Sequence, residues 1–393
     1  MVIEKAGAAL IMDQNRSQIN ESASENSSPF SWSRNRLLSL QKKLLHWYSR
    51  SARDLPWRQT RDPYAIWVSE IMLQQTRVAA VIPFYLRFME RFPDMESLAT
   101  TRVDDVLPFW SGLGYYRRIR DLHRAAQIVV RQHGGQIPRT RDGLLSLPGI
   151  GAYTAGAILS IAFDLPEPVM DGNVARVLCR FFLIEENWKS KATGKKLWKM
   201  AAFLLPSAHS ASFNQAIMEL GAVCCLPQSP KCSLCPWKSG CLAQKAGRQA
   251  ALPVSGPPAE KVRQFLNIFI FYHRGRILLG KKEEGALVSG LWELPSLTAK
   301  QAARDSPSSF HRRLKQAYGM SAGQVQRAGK TRHCILQREI QADVFVARLT
   351  ERPASLHSLF QEHAWIRTEE VSRYGVSSLS LKSLALGQKS RLL

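Results

Sequence analysis

Two carboxylates, one glycine-bounded turn and a knot of cysteines are the parts of this chain whose residue types and spacing could do chemistry. Glu70 lies in the apolar stretch Ile66 to Leu73 and shares a helical face with Ile66 and Leu73. A carboxyl so placed is expected to keep its proton near neutral pH, because burial disfavours the charged form. Asp171 follows Pro168 on the turn Met170-Asp171-Gly172-Asn173, a more open setting in which it can stay ionised. A protonated acid working with an ionised carboxylate suits general acid catalysis with charge stabilisation. The residues alone leave a plainer reading open, in which Glu70 caps a helix or salt-bridges a neighbour such as Arg77.

The segment Leu147-Pro148-Gly149-Ile150-Gly151 is the second feature. Pro148 stops one helix, Gly149 and Gly151 allow backbone conformations that a side chain resists, and a new helix starts at about Tyr153. The first N–H groups of that helix lack intrahelical partners and point outward. They offer a seat for one phosphate of a nucleic-acid backbone. The third feature is Cys225, Cys232, Cys235 and Cys241, spaced Cys-x6-Cys-x2-Cys-x5-Cys. Four thiolates this close suggest one metal centre, and two kinds compete, a [4Fe–4S] cluster and a structural zinc site. Zinc sites more often show paired Cys-x2-Cys units, and only Cys232 and Cys235 form one here. Cys224 adjoins Cys225 and offers an alternative first ligand.

These features need elements to hold them. From Leu37 to about Ala243 apolar residues recur at helical spacing, in runs such as 66–92, 103–110, 119–133 and 154–163. Residues 1–33, rich in Ser, Asn, Gln and Glu, read as a disordered leader, and 251–261, with Pro253, Gly256, Pro257 and Pro258, as a linker. Beyond it the texture changes. Residues 265–272 and 277–279 flank His273-Arg274-Gly275-Arg276 as a hairpin, and 344–346 and 364–366 are further strand candidates. Lys and Arg total 54 against 31 acids in 393 residues, a net charge of +23 that favours a polyanionic partner such as nucleic acid. Basic residues crowd 34–58 and 117–131, with aromatics interleaved. No apolar run is long enough to span a bilayer, so no membrane partner is expected, and seven cysteines do not resemble a secreted disulfide framework. A reducing, cytoplasmic setting follows.

The segments Asp54-Leu55-Pro56-Trp57-Arg58, Asp62-Pro63-Tyr64, 67–76, Gly112-Leu113-Gly114-Tyr115-Tyr116, Leu147 to Tyr153, Asp171 to Val174 and the four cysteines together resemble the helix-hairpin-helix DNA glycosylases, specifically the MutY-type adenine branch. The likeness runs in order over about residues 34–245. It implies a multi-domain fold: an all-α helix-hairpin-helix glycosylase domain (34–250) with a [4Fe–4S] cluster loop (225–241), then an α+β Nudix-like domain (262–393). It implies a monofunctional hydrolase, located on the nucleoid and acting as a monomer. Its substrate is double-stranded DNA holding adenine opposite 8-oxoguanine or guanine. Glu70 would protonate adenine N7 and Asp171 would stabilise the cationic sugar, with Tyr153 and Asn173 assisting. Arg53, Trp57, Arg58 and Gln215 would surround the extruded adenine. Gln75 and Tyr115 would enter the duplex where the base leaves, and Gly149 and Gly151 would hold a phosphate. The cysteines would carry the [4Fe–4S] cluster.

Asn267 to Leu279 and Gly290 to Pro295 resemble the Nudix-like lesion-reading domain of that family. The glutamates that nucleotide hydrolysis needs do not follow Glu293, so that activity is not expected. The family reads 8-oxoguanine through a Phe-Ser-His segment. The corresponding stretch here is Lys330-Thr331-Arg332-His333-Cys334, in which only His333 remains. Two rival readings are an endonuclease III-like glycosylase/lyase and a non-catalytic DNA-binding protein with a metal staple. The first places a lysine where Tyr153 stands and lacks the second domain; Glu70 and Asp171 argue against the second.

Overall fold

A computed structural model describes residues 32–257, 260–281, 290–299, 307–319, 322–335, 337–352, 356 and 360–393. The leader expected over 1–33 lies almost wholly outside them. Residues 34–245 are helical, and no strand occurs there among the described residues. Two apolar cores organise this half. One gathers Val68, Ile71, Phe88, Trp110, Leu122 and Leu159. The other gathers Leu44, Val174, Leu178, Phe213 and Trp237, with Cys225, Cys235 and Cys241 packed against it.

The helices Pro63–Leu73 and Ala152–Phe163 pack on each other and supply residues to both cores. Both are buried along most of their length and apolar nearly all round, as a central helix must be. Asp62 caps the first, accepting from the Tyr64 and Ala65 amides, with Pro63 at the first helical position. The apolar run 66–92, read as one helical stretch, is two helices. It breaks between Leu73 and Val78, where Gln75 has φ 59°. A left-handed residue with a Cβ is uncommon and cannot continue the helix.

The second domain is a seven-stranded mixed sheet. Its strands are β1 (Val262–His273), β2 (Arg276–Lys281), β3 (Trp292–Glu293), β4 (Ser296–Thr298), β5 (Ala322–Ile335), β6 (Arg338–Leu349) and β7 (Glu362–Ile366). The spatial order is β3-β2-β1-β6-β5, with β4 on β1 and β7 on β2. The expected hairpin is β1 and β2, with Arg274 and Gly275 both at positive φ in the turn. β1 and β6 run parallel, and the other pairs are antiparallel. One face of the sheet is covered by the helix Ser378–Lys389 through Leu379 and Leu384, the other by the helix Pro307–Tyr318 through Leu314 and Tyr318.

The domains are packed together. Leu291, from the second domain, is 1% exposed and belongs to the first helical core. Lys281 Nζ lies 3.0 Å from both Asp104 and Glu362, which joins the helix Val103–Trp110 to β2 and β7. The stretch expected as linker begins packed on the helical domain: the Leu252 carbonyl accepts from Arg180 Nε at 2.9 Å and the Val254 carbonyl from the Trp188 amide.

Candidate active site

Glu70 is 5% exposed on the central helix. Burial pushes its carboxyl up to about 7, and the negative charge of Asp171 adds to this. The Tyr153 hydroxyl, donating to Oε2 at 2.6 Å, and the more distant Arg58 pull the other way. Its partner is therefore a tyrosine. No ion pair to Arg77 or any other cation forms among the described residues, which disposes of the salt-bridge reading. Tyr153 lies one residue into the second central helix, and burial with two nearby carboxylates keeps its hydroxyl protonated.

Asp171 departs from its expected setting. It is no open-turn carboxylate but the N-cap of the helix Gly172–Phe181, accepting from the Val174 amide at 2.7 Å and from Asn173 Nδ2 at 2.9 Å. Burial raises its pKa, and those two donors with the charge of Arg176 restrain the rise. Capping explains its place: the unpaired helix N–H groups and the helix dipole favour a carboxylate there. Asn173 extends the arrangement, since its Oδ1 accepts from Arg176 Nη2 at 2.8 Å while Arg176 Nε donates to the Cys225 carbonyl at 2.8 Å. A chain of hydrogen bonds thus joins Asp171 to the cysteine loop.

Sequence reasoning missed Glu219. It is fully buried at the end of the helix Ser210–Glu219 and accepts from Arg53 Nε and Nη2, both at 2.7 Å, and from Arg58 Nη2 at 2.8 Å. Burial alone would raise its pKa; the two guanidiniums outweigh burial and hold it down to about 2. Arg53 and Arg58 thus converge on one carboxylate. Gln215, one helical turn before Glu219, accepts from the Tyr48 hydroxyl at 3.3 Å, and Trp57 is buried edge-on against Tyr85. The available signal was one acid closing an otherwise uncharged helix, four residues after Gln215.

The predicted hairpin forms. Gly149 has φ 78°, and a Cβ there would stand 2.7 Å from that of Asp121, so the turn needs glycine on both counts. Gly151 is the N-cap of the helix Ala152–Phe163 and supplies no side-chain bond, leaving the first amides free for an anion. Gln75 and Tyr115 both have positive φ and lie across one cleft of about 1230 Å³, bounded by Gly149 on one side and by His333, Cys334 and Lys382 on the other. That cleft lies between the domains, and neither Glu70 nor Asp171 lines it. Arg118 braces its floor, donating to the carbonyls of Ile71 and Met72 at 2.9 Å and of Gly114 at 3.2 Å. His333 sits on β5, and burial together with the charge of Lys382, whose Nζ is 3.5 Å from Nδ1, lowers its pKa from the ordinary histidine value.

Cys225, Cys235 and Cys241 pack against the second core, and Cys232 lies three residues before Cys235 on the same loop. Arg180 is 2% exposed, and its Nη1 lies 3.3 Å from Cys225 Sγ. Its other bonds go to the carbonyls of Leu226, Pro227 and Leu252, and no carboxylate pairs with it among the described residues. The Cys235 thiol donates a hydrogen bond to Cys224, the alternative first ligand, and no three His, Cys, Asp or Glu side chains stand in single-ion geometry among the described residues.

Residues 68–202 match the HhH-GPD superfamily of base excision DNA repair proteins, and 267–386 match the NUDIX domain family. The adenine DNA glycosylase of Mus musculus is 35% identical over 90% of this chain and 78% of its own length. That of Homo sapiens is 35% identical, over 86% and 72%. The chain belongs to the adenine DNA glycosylases. A thermostable thymine-DNA glycosylase structure is also similar, with 30% identity and TM-score 0.50, covering 54% of this chain and 98% of that one. Membership in the adenine glycosylase family makes this a base-excision repair enzyme, which removes both rival readings. It also places the buried Glu70 with its Tyr153 partner, and Asp171, inside a glycosylase. The expected Nudix-like fold is present, and no helix among the described residues is long and apolar enough to cross a membrane.

Proposed function

We propose that this glycosylase removes adenine opposite 8-oxoguanine or guanine in double-stranded DNA, by an acid-assisted cleavage that Glu70 and Asp171 share. The Glu70–Tyr153 hydrogen bond at 2.6 Å, close to the half-buried carboxylate of Asp171, carries the reading. With the adenine extruded, Glu70 gives its proton to N7, so that the base leaves neutral. The glycosidic bonding pair departs with the base, and positive charge develops on the sugar. Asp171, fixed by the Val174 amide and Asn173, faces that charge until water adds at the anomeric carbon and gives up a proton, which restores the Glu70 carboxyl. Tyr153 orients Glu70. Arg53, Arg58, Trp57 and Gln215 line the base pocket, with Glu219 positioning the two arginines. Gln75 and Tyr115 fill the space the adenine vacates, and the Gly149–Gly151 amides hold a backbone phosphate. A lyase needs an amine to form a Schiff base, and Tyr153 stands at the lyase position, so strand cleavage is not part of the reaction. The enzyme acts as a monomer on the cytoplasmic nucleoid. The test is base release from duplexes with adenine opposite 8-oxoguanine, guanine, cytosine and thymine. Release from the first two alone is expected, and indiscriminate release overturns the specificity.

Release should fall on the alkaline side with a midpoint near pH 7, because Glu70, raised to about 7, must be protonated to act. On the acid side it should fall where Asp171 gains a proton, above the ordinary aspartate value of 3.8. A single-turnover rate that stays flat between about pH 6 and 8 contradicts Glu70 as the acid.

His333 and Lys382 present donors to the opposite strand across the cleft. His333→Ala should lower the preference for 8-oxoguanine over guanine by about threefold to tenfold, one hydrogen bond's worth. Equal preference in wild type and variant would remove His333 from lesion reading.

Cys225, Cys232, Cys235 and Cys241 would hold a [4Fe–4S] cluster. The fit rests on the donor set and on Arg180, a buried cation at Cys225 Sγ that an anionic thiolate centre would neutralise. The group would supply structural order to the loop that bears Lys231. Purified protein should be brown, with acid-labile sulfide and about four irons per chain; colourless protein carrying one zinc would refute it.

A further inference from the structure

The two ends of the loop that carries Tyr115 are tied to a single atom of the other domain. Ser111 Oγ donates to the Val376 carbonyl at 3.2 Å, and the Tyr116 hydroxyl donates to the same oxygen at 3.0 Å. The Tyr116 hydroxyl also accepts from the Gly112 amide at 3.1 Å, so it closes the loop on itself while anchoring it across the domain boundary. Between the anchors, Gly112, Gly114 and Tyr115 have φ of 99°, 77° and 51°. A loop with three such residues has other forms open to it, and Tyr115, which has a Cβ, is disfavoured in this one.

The acceptor is itself rigid. Val376 is fully buried and bridged to Trp292, and the next amide, Ser377, donates to the Trp292 carbonyl at 3.0 Å. The segment is seated against the helix that leads into the loop: a Cβ on Gly375 would stand 2.7 Å from the Leu107 Cβ. Leu291 in the helical core and Lys281 between Asp104 and Glu362 fix the same interface from either side.

We infer that the second domain is a positioning element for base extrusion: through the Val376 carbonyl it holds loop 111–116 in the form that presents Tyr115 to the duplex. This rests on the proposed reading of Tyr115 as the inserted group and extends it, since the domain then sets the wedge as well as facing the opposite base. Ser111 and Tyr116 are positioning residues that touch no substrate. Removing one hydroxyl lowers the share of the competent loop by about threefold to tenfold, and extrusion falls by the same factor.

The test uses full-length protein and a duplex in which the target is 2-aminopurine on a 2′-fluorinated sugar. Fluorine at that carbon destabilises the cationic sugar and blocks cleavage, and the base brightens as it leaves the stack. Tyr116→Phe and Ser111→Ala should each lower the extruded fraction by about threefold to tenfold. Gly375→Ala, which pushes Val376 away from the loop, should act in the same direction. Affinity for a duplex with a stable abasic analogue, which has no base to extrude, should stay at the wild-type value. A merely structural defect weakens both.

Wild-type extrusion by Tyr116→Phe and Ser111→Ala overturns the inference, as does a parallel loss of extrusion and abasic-duplex affinity in both. Should Tyr116→Phe fail to fold, Ser111→Ala, a single hydroxyl on a half-buried loop, decides the matter. Tyr115→Ala separates the two readings. If it extrudes normally, the wedge reading fails; if it fails to extrude while the other two succeed, the wedge stands and the clamp falls.

Discussion

Glu70→Gln should reduce adenine release by about 10²–10⁴-fold, and Asp171→Asn by at least about 10²–10³-fold, while each variant still binds the mispaired duplex. A side-chain amide in place of the Glu70 carboxyl would keep the volume of the group and could still accept from the Tyr153 hydroxyl, but it has no proton to give. An asparagine at 171 remains a good N-cap and can accept from the Val174 amide, so the helix Gly172–Phe181 should hold. What is lost is the negative charge opposite the developing sugar cation, an interaction made only in the transition state. Single-turnover release of free adenine, with a gel-shift measurement of binding beside it, checks both. Wild-type release by either variant would remove that residue from the chemistry, and a matching loss of binding would mark a folding defect instead.

Glu219→Gln should destabilise the helical domain by about 3 kcal/mol and impair the base pocket together with it. The figure follows from a carboxyl held down to about 2 from an ordinary value of 4.5, in a side chain that is fully buried. It is of the size expected when one member of a buried ion pair is removed and its cations lose their partner. Arg53 is partly exposed and can recover some hydration, whereas Arg58 is largely enclosed. Because the folded pKa is depressed, the contribution of Glu219 is complete above about pH 4.5 and is lost as pH falls toward 2. Thermal melts of the two proteins should therefore differ by a constant amount at neutral pH and converge in strong acid. A melting point unchanged at pH 7 would show that the two arginines do not depend on Glu219.

The helical first half, the mixed second half and the hairpin were legible because each has a local sign. Period 3.6 fills residues 66–92 and 119–133, Pro148 and Gly149 mark the turn, and Arg274-Gly275 marks the β1–β2 connection. The break at Gln75 was not legible. Glutamine is a good helix former, and the residues on either side of Gln75 are tied to Arg118, a residue far along the chain, which donates to the Gln74 carbonyl and the Thr76 hydroxyl. β5 was missed for a related reason. Its polar and basic residues suit an exposed edge, and its strand state depends on pairing with β6.

The sequence by itself determined the family, the order of the two domains, the cysteine spacing and the presence of one acid in an apolar helix. Those are properties of residue type and short spacing, which act before the chain folds. Tertiary structure decided the rest. It paired Glu70 with Tyr153, 83 residues away, turned Asp171 from an open-turn residue into a half-buried helix cap, and drew Arg53 and Arg58 onto Glu219. It also set Val376 against the loop of Tyr115. Apart from the Asp171 cap, whose partners are two and three residues away, each is a long-range partnership with no periodicity to announce it. Each exists because burial makes an unpaired charge or hydroxyl costly, so the folded chain must find it a partner wherever one lies in the sequence.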